Sequence, residues 1–206
     1  GFGRLGYWFG SERYDFRPDV VTFAKGVGSA YVPLGGALMT DGVGARFVEG
    51  KNMFTHGITY GGHPVATAVA LKNLEIMERE DVLGNVRRNE PYFKAMLERL
   101  ADKPIVGDVR GAGYFMSIEL VRDKETKQTF SDAEGERLLR GFLSPRLYDA
   151  GLICRADDRG DPVIQLSPPL IATREDLDFV HDVLDTVLDD AWTEMTRSGA
   201  KTAVTT

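Results

Sequence analysis

The sequence predicts an α/β protein built in two parts. Three observations predict it: short apolar runs that alternate with helical stretches, a change of character near residue 81, and a smaller strand-and-helix unit beyond that point. In the first part, residues 19 to 24, Asp-Val-Val-Thr-Phe-Ala, read as a buried strand whose C-terminal end opens at Lys25 and Gly26 onto a glycine-containing loop. Gly36 to Thr40 reads as a second strand, leading into a short helix through Ala45, Phe47 and Val48. After the loop at 51 to 63, Pro64 takes the first position of a mostly buried helix carrying Val65, Ala66, Val69, Leu71, Leu74 and Met77. Two strands are too few for a covered parallel sheet, so this part reads as truncated. The opening Gly1-Phe2-Gly3-Arg4, with neither Met nor leader, carries the same expectation of a native start further upstream.

From residue 81 the chain turns charged and amphipathic, and Pro91 is expected to end or kink the helix that begins there. Ile105 to Val121 alternates as a half-buried strand, with Tyr114, Met116, Ile118 and Leu120 on one face. Ser131-Asp132-Ala133-Glu134 has the form of a capping box ahead of Leu138, Leu139 and Phe142, and Gly151 sits where that helical region should stop. A strand pair is expected at Leu152 to Arg155 and Val163 to Leu166. Thr173 then starts the most regular helix, with Leu177, Val180, Leu184, Val187, Leu188 and Ala191 on one stripe. A loose tail is expected from about Thr196.

The 206 residues carry a formal net charge of -6 with acids and bases interspersed, which leaves no electrostatic footprint for nucleic acid or an anionic membrane. Apolar stretches fall well short of the roughly 20 residues of a membrane span. One cysteine, Cys154, rules out an internal disulfide and fits a reducing, cytoplasmic setting.

Lys25 is the first candidate for chemistry. It ends an apolar strand, its neighbours Ala24, Gly26, Gly28 and Ser29 leave room for a planar ring, and ligands of open α/β sheets sit outside the carboxyl ends of strands. A lysine partly desolvated there has its ammonium form disfavoured and offers a neutral amine to an aldehyde. On these grounds alone, a loop-edge lysine reaching solvent is the commoner reading. The segment His56 to Pro64 places a hydroxyl, Thr59, and backbone N–H groups ahead of a helix N-terminus, where an anion is favoured; an ordinary N-cap loop with a tight turn at Gly61 and Gly62 fits as well. Arg155 by itself reads as a surface arginine paired with Asp157 or Asp158. His56 and His63 lack a third ligand of suitable type, so no metal is expected. His181 reads as packing or surface.

Several segments in register resemble the class III aminotransferases, the ω-amino-acid and ornithine type. They are Gly1-Phe2-Gly3-Arg4-Leu5-Gly6, Pro18-Asp19 through Ala24-Lys25-Gly26, Tyr31 to Gly36 around Pro33-Leu34-Gly35, and His56-Gly57-Ile58-Thr59-Tyr60-Gly61-Gly62-His63-Pro64. Val109-Arg110-Gly111-Ala112-Gly113, then Gly151 to Arg155 followed by Pro168-Pro169-Leu170, continue the likeness. The resemblance implies the C-terminal part of the large domain of a fold-type I pyridoxal-phosphate-dependent transferase over residues 1–80, and the small αβ C-terminal domain over 81–206. It implies pyridoxal 5'-phosphate as cofactor, held as a Schiff base by Lys25. It further implies that Thr59 reaches the cofactor phosphate of the other subunit of a homodimer, and that Arg155, with Arg159 as the fallback, takes the substrate carboxylate in the planar fork of its guanidinium. Arg110 is read as structural or lining the site mouth, and Arg4 receives no chemical role. The acidic residue that meets the pyridine nitrogen in the family precedes Gly1, so this chain alone is expected to be inactive. The implied reaction moves an amino group from an ω-amino acid or amine to a keto acid such as pyruvate. An aminomutase or racemase on the same fold, and an inactive fragment serving as a dimerisation module, are the competing readings.

Overall fold

The computed structural model describes residues 1–49, 52–157 and 162–202. The chain divides into two compact units, Gly1–Asn85 and Val86–Thr206.

In the first unit a short helix α1 (Gly10–Arg13) precedes β1 (Val20–Phe23), which pairs antiparallel with β2 (Gly36–Met39). Opposite Phe23 stands Gly36, where a Cβ would lie 2.6 Å from the Phe23 ring, so only glycine lets that ring cross the partner strand. Helix α2 (Asp41–Val48) follows, and α3 (Pro64–Arg79) starts at Pro64 as expected, because proline's missing N–H and fixed φ suit a first turn. Two expectations fail here. The strand read as buried alternates exposed and half-buried residues, and α3 buries only Ala66, Ala70 and Met77 while Val65 and Leu71 stay exposed. A two-stranded ribbon offers too little surface to cover either.

Helix α4 (Val82–Glu98) runs through Pro91 instead of stopping there. Pro91 and Arg87, four residues before it, are both exposed, so the cost of the proline falls on the solvent side. Val86, Phe93, Met96 and Leu97 hold the helix in the core. Residues 105 to 121, read as one strand, form a hairpin of β3 (Val106–Ala112) and β4 (Phe115–Leu120). The chain reverses at Gly113-Tyr114, where Gly113 takes a left-handed φ of 57, and at the paired position Gly111 a Cβ would meet the Phe115 carbonyl oxygen at 2.2 Å.

The Ser131 capping box is formed in both directions with Glu134 at the start of α5 (Asp132–Glu136). A π-helical stretch, Arg137–Leu143, and α6 (Ser144–Asp149) carry the chain on, and Gly151 ends the region at φ 83. The next strand, β5 (Arg155–Asp157), begins three residues later than expected, so Arg155 opens it rather than closing it. It pairs with β6 (Val163–Leu166) to complete an antiparallel sheet of order β3-β4-β6-β5. Finally α7 (Arg174–Thr202) lays all six residues of its predicted stripe into the core, where they join Tyr114, Met116, Ile118 and Leu120 of the sheet. It continues past Thr196, where a loose tail was expected; an unbroken hydrogen-bonded ladder costs little to extend once the helix is nucleated by packing.

Candidate functional site

Lys25 lies two residues past the end of β1 and opens a tight turn, Lys25–Gly28. Its backbone is left-handed (φ 49), as are those of Ser29 (φ 48) and Ala30 (φ 61). For residues with a Cβ each such conformation costs about 1–3 kcal/mol, and clusters of them occur where a side chain must be aimed. Val27 and Gly28 are buried and seat the turn, while Lys25 itself is exposed. The desolvation expected from the sequence is therefore not supplied by this chain's own residues, because the strand beneath Lys25 is only half covered.

The Lys25 side chain lines an open cleft of about 990 Å³ within the first unit. Small residues, Ala24, Ala30 and Gly35, make one wall; Ile58, Tyr60, Gly61, Gly62 and His63 make the other. That stretch leads into the N-terminus of the 16-residue helix α3, whose Val65 and Ala66 also line the cleft. His63 caps it, its Nδ1 accepting from the Val65 N–H at 3.3 Å, and Pro64 follows in the first turn. Thr59 is exposed between Ile58 and Tyr60 but is not itself among the lining residues. Two cations face the start of the chain. The Gly1 amine is pushed below its ordinary value by burial first, then by the charges of Arg4 and Lys25. Arg4 is half-buried, and its guanidinium is pulled down by burial.

The second unit carries a separate groove of about 1100 Å³, in which Arg155 accompanies Ile153, Pro168, Pro169, Ile171 and Phe179. Arg155 is exposed at the first position of the edge strand, opposite Gln165. Beside it, burial pushes the Cys154 thiol up to about 11, which leaves it an inert thiol at neutral pH. Arg159 lies outside the described residues, as does Asp158. Arg110 forms ion pairs with Asp108 at 2.9 Å and with Glu119 across the hairpin, a structural network on the sheet. Half-buried His181 lies 3.2 Å from the carboxylate of its neighbour Asp182. Among the described residues no cluster of three His, Cys, Asp or Glu could hold a metal, and no helix is long and apolar enough to cross a membrane.

One residue near Lys25 escaped the sequence reading. Asn73 of α3 donates from Nδ2 to the carbonyl oxygens of Gly26 (3.1 Å) and Val27 (3.0 Å). In the sequence it is one polar residue beside Lys72 and Glu75 in an amphipathic helix, and periodicity gives no reason to look 47 residues back for its partner.

The sequence profile of the aminotransferase class-III family matches residues 1–188. This chain is a class III aminotransferase sequence. A probable aminotransferase of Mycobacterium tuberculosis is 52% identical over 92% of this chain and 40% of its own length. The putrescine–pyruvate aminotransferase of Pseudomonas aeruginosa is 41% identical over 92% of the chain and 40% of its own length. Among solved structures, a thermostable (S)-enantioselective omega-transaminase from Thermomicrobium roseum superposes with a TM-score of 0.85 at 39% identity, covering 93% of this chain and 41% of that one. An aminotransferase from Vibrio fluvialis, solved in its PMP-bound form, gives 0.82 at 32% identity, covering 95% of this chain and 42% of that one. The chain thus spans about two-fifths of the length of the relatives it matches. The fold is that of a segment of a fold-type I transaminase, and pyridoxal phosphate is the family's cofactor.

The residues present fit that cofactor. An aldehyde needs a primary amine, which Lys25 brings into the cleft; a flat ring needs walls of small side chains, which Ala24, Ala30 and Gly35 provide; a phosphate is favoured near a helix N-terminus such as that of α3. The donor set is that of an organic phosphate aldehyde rather than of a metal.

Proposed function

We propose that the protein containing this chain is a pyridoxal-phosphate-dependent aminotransferase that moves an amino group from an ω-amino acid or amine to a keto acid such as pyruvate. The observation that carries this reading is that Lys25 and the N-terminal end of α3 line one cleft. When bound, pyridoxal phosphate supplies the electron sink that makes the carbon bearing the amino group acidic. Lys25 would hold the cofactor covalently and, once displaced by the amino donor, its Nζ would move a proton from the substrate carbon to the cofactor carbon, and in the opposite sense when the keto acid is aminated. The left-handed backbone at residue 25 aims the amine.

Thr59 donates its hydroxyl to the phosphate in the partner subunit's site, which makes the active enzyme a homodimer with shared sites. Its position in the loop, flanked by cleft-lining residues without lining the cleft itself, supports this assignment. Arg155 grips the carboxylate of the keto acid or amino acid in a bidentate pair, supported by its exposure at the head of an edge strand in a groove it shares with Ile153, Pro168 and Phe179. The ω-amine donor class is supported by the putrescine–pyruvate aminotransferase and by a tomato mitochondrial gamma aminobutyrate transaminase 37% identical over 86% of this chain. A cytoplasmic setting is supported by the single cysteine. Turnover is proposed for the whole protein. The isolated 206-residue chain, with Lys25 exposed, is expected to be inactive.

The test is borohydride reduction of the native protein followed by peptide mapping, together with assay of putrescine and ω-amino acids with and without pyruvate. A pyridoxyl group on Lys25 and strict dependence on the keto acid are expected. Conversion without any acceptor would replace the transaminase with a mutase or racemase, and an unmodified Lys25 would remove the enzyme reading altogether.

A further inference from the structure

We propose that Asn73 is a positioning residue for Lys25: by clamping the turn that follows Lys25, it keeps the lysine's left-handed backbone and so aims Nζ into the cleft. The role rests on the aminotransferase reading above.

Three of the turn's own hydrogen bonds are long, although Tyr31 N donates to Gly28 O at 3.0 Å and the Ser29 N–H also reaches Lys25 O. Val27 N donates to Ala24 O, Ser29 N to Gly26 O and Ala30 N to Lys25 O, each at 3.3 Å, the long end for an N–H to carbonyl bond. Within these six residues three non-glycine residues, Lys25, Ser29 and Ala30, sit at positive φ. Such a segment relaxes toward ordinary φ values unless something outside it prevents that.

Two contacts from outside act on it. On one side, Gly26 packs against Phe2, close enough that a Cβ would lie 3.3 Å from the Phe2 Cβ. On the other, the Asn73 amide bridges two consecutive carbonyls, Gly26 O at 3.1 Å and Val27 O at 3.0 Å. Both partners are acceptors, so the orientation of the amide is settled: the NH₂ group must face the turn, and its two hydrogens match two oxygens one peptide apart. Asn73 is itself held on α3, with Nδ2 3.6 Å from the sulfur of buried Met77. Helix α3 is also the element whose N-terminus lines the cleft. Asn73 therefore ties the amine-bearing turn to the same helix whose first residues, Val65 and Ala66, line the cleft with Lys25.

Asn73 does not line the cleft, so it touches neither cofactor nor substrate. Its loss should slow the reactions of Lys25 and leave binding of the amino donor unaltered. A residue that only helped the fold would lower both in proportion to the folded fraction.

The experiment uses the full-length protein and its Asn73→Asp, Asn73→Leu and Asn73→Ser variants. Asn73→Asp keeps the shape but sets a carboxylate against two carbonyls, Asn73→Leu removes all polarity, and Asn73→Ser keeps one donor too short to span both oxygens. The rate at which apoprotein gains a borohydride-trapped pyridoxyl group on Lys25 is measured with kcat, the KM of the donor and the thermal midpoint. Trapping and kcat are expected to fall by about tenfold to a hundredfold with KM nearly unchanged, as for an ångström-scale misplacement of a reacting group. If Asn73→Asp and Asn73→Leu fail to fold, Asn73→Ser decides, with slowed trapping at an unaltered thermal midpoint as the supporting result. Wild-type trapping rates in folded variants, or losses that follow only the unfolded fraction, overturn the role. A wild-type protein that takes no pyridoxyl group on Lys25 sinks the aminotransferase reading instead, and the two failures are told apart by that control.

Discussion

Helices α3 and α7 both carry an apolar stripe at helical spacing, yet they are covered to different extents. On α7 the residues Leu177, Val180, Leu184, Val187, Leu188 and Ala191 are all buried, whereas on α3 Leu71 remains 69% exposed and Val65 59%. The difference lies in what each unit sets against its helices. The second unit has a four-stranded antiparallel sheet with one face of Tyr114, Met116, Ile118 and Leu120, and the π-helical stretch adds Leu138, Leu139 and Leu143 to the same core. The first has a two-stranded ribbon on which Val20, Leu38 and Met39 stay exposed. The unit with the denser core is thus the one without the lysine. Lys25 and its cleft belong to the sparsely buried unit, where local geometry is kept by left-handed turns, close-packed glycines and a single bridging amide.

This contrast makes predictions that can break it. The largest effect should follow Lys25→Ala in the full protein. Removing the amine abolishes pyridoxyl trapping at that site and lowers transamination by about a thousandfold or more, the range of a lost proton-transfer group. Thermal unfolding should barely change, because Lys25 is exposed. A large loss of stability would show that the turn supports the fold as well as the chemistry.

Stability should respond in the other unit. Phe93 is fully buried with its ring 5.7 Å from that of Tyr114, and Phe93→Ala should cost about 3–5 kcal/mol in urea unfolding. Leu71→Ala on the exposed side of α3 should stay within about 0.5 kcal/mol. Equal costs for the two would erase the distinction between the units.

Arg155→Gln sharpens the division of labour. A lost bidentate grip should raise KM for the carboxylate substrate by about tenfold or more, with pyridoxyl trapping on Lys25 at the wild-type rate. Impaired trapping would mean that Arg155 acts on the lysine's side of the chemistry.

The smallest effect belongs to the capping box of α5. Ser131→Ala should cost about 1 kcal/mol at neutral pH. The Glu134 carboxyl is held below its ordinary value of 4.5 by hydrogen bonds from the Ser131 side chain first and its backbone N–H next, with the charge of Arg122 adding to them. A depressed folded-state value means that this stabilisation is complete above about pH 4.5 and fades as the pH falls through the folded value. The gap between wild type and Ser131→Ala should therefore narrow in acid unfolding curves. A gap independent of pH would show that the carboxylate takes no part.

Legibility followed the range of the interactions. The start of α3 at Pro64, the Ser131–Glu134 box and the α7 stripe were all readable because each is decided by neighbours within about one or two helical turns. The buried face of β4 was readable by alternation, but the hairpin was not, since alternation says nothing about where the chain reverses and Gly113 was read only as part of a motif. Pro91 does not end α4, because Val86, Phe93, Met96 and Leu97 hold the helix in the core on both sides of it, contacts that a local penalty leaves out. The start of β5 was misplaced because strand pairing, which fixes it, comes from β6 beyond a loop. At the site the motifs located Lys25, and nothing in them disclosed its left-handed backbone, its exposure or its link to Asn73.

By itself the sequence determined the family, through motifs in register, and with it the cofactor, because a primary amine, a ring-sized gap and an anion-binding turn are local requirements written in short segments. Only the tertiary structure decided how the amine is aimed. That depends on α3, some 47 residues away, meeting the turn after Lys25 with two hydrogen bonds, and contacts between distant segments are set by packing, which no local pattern records.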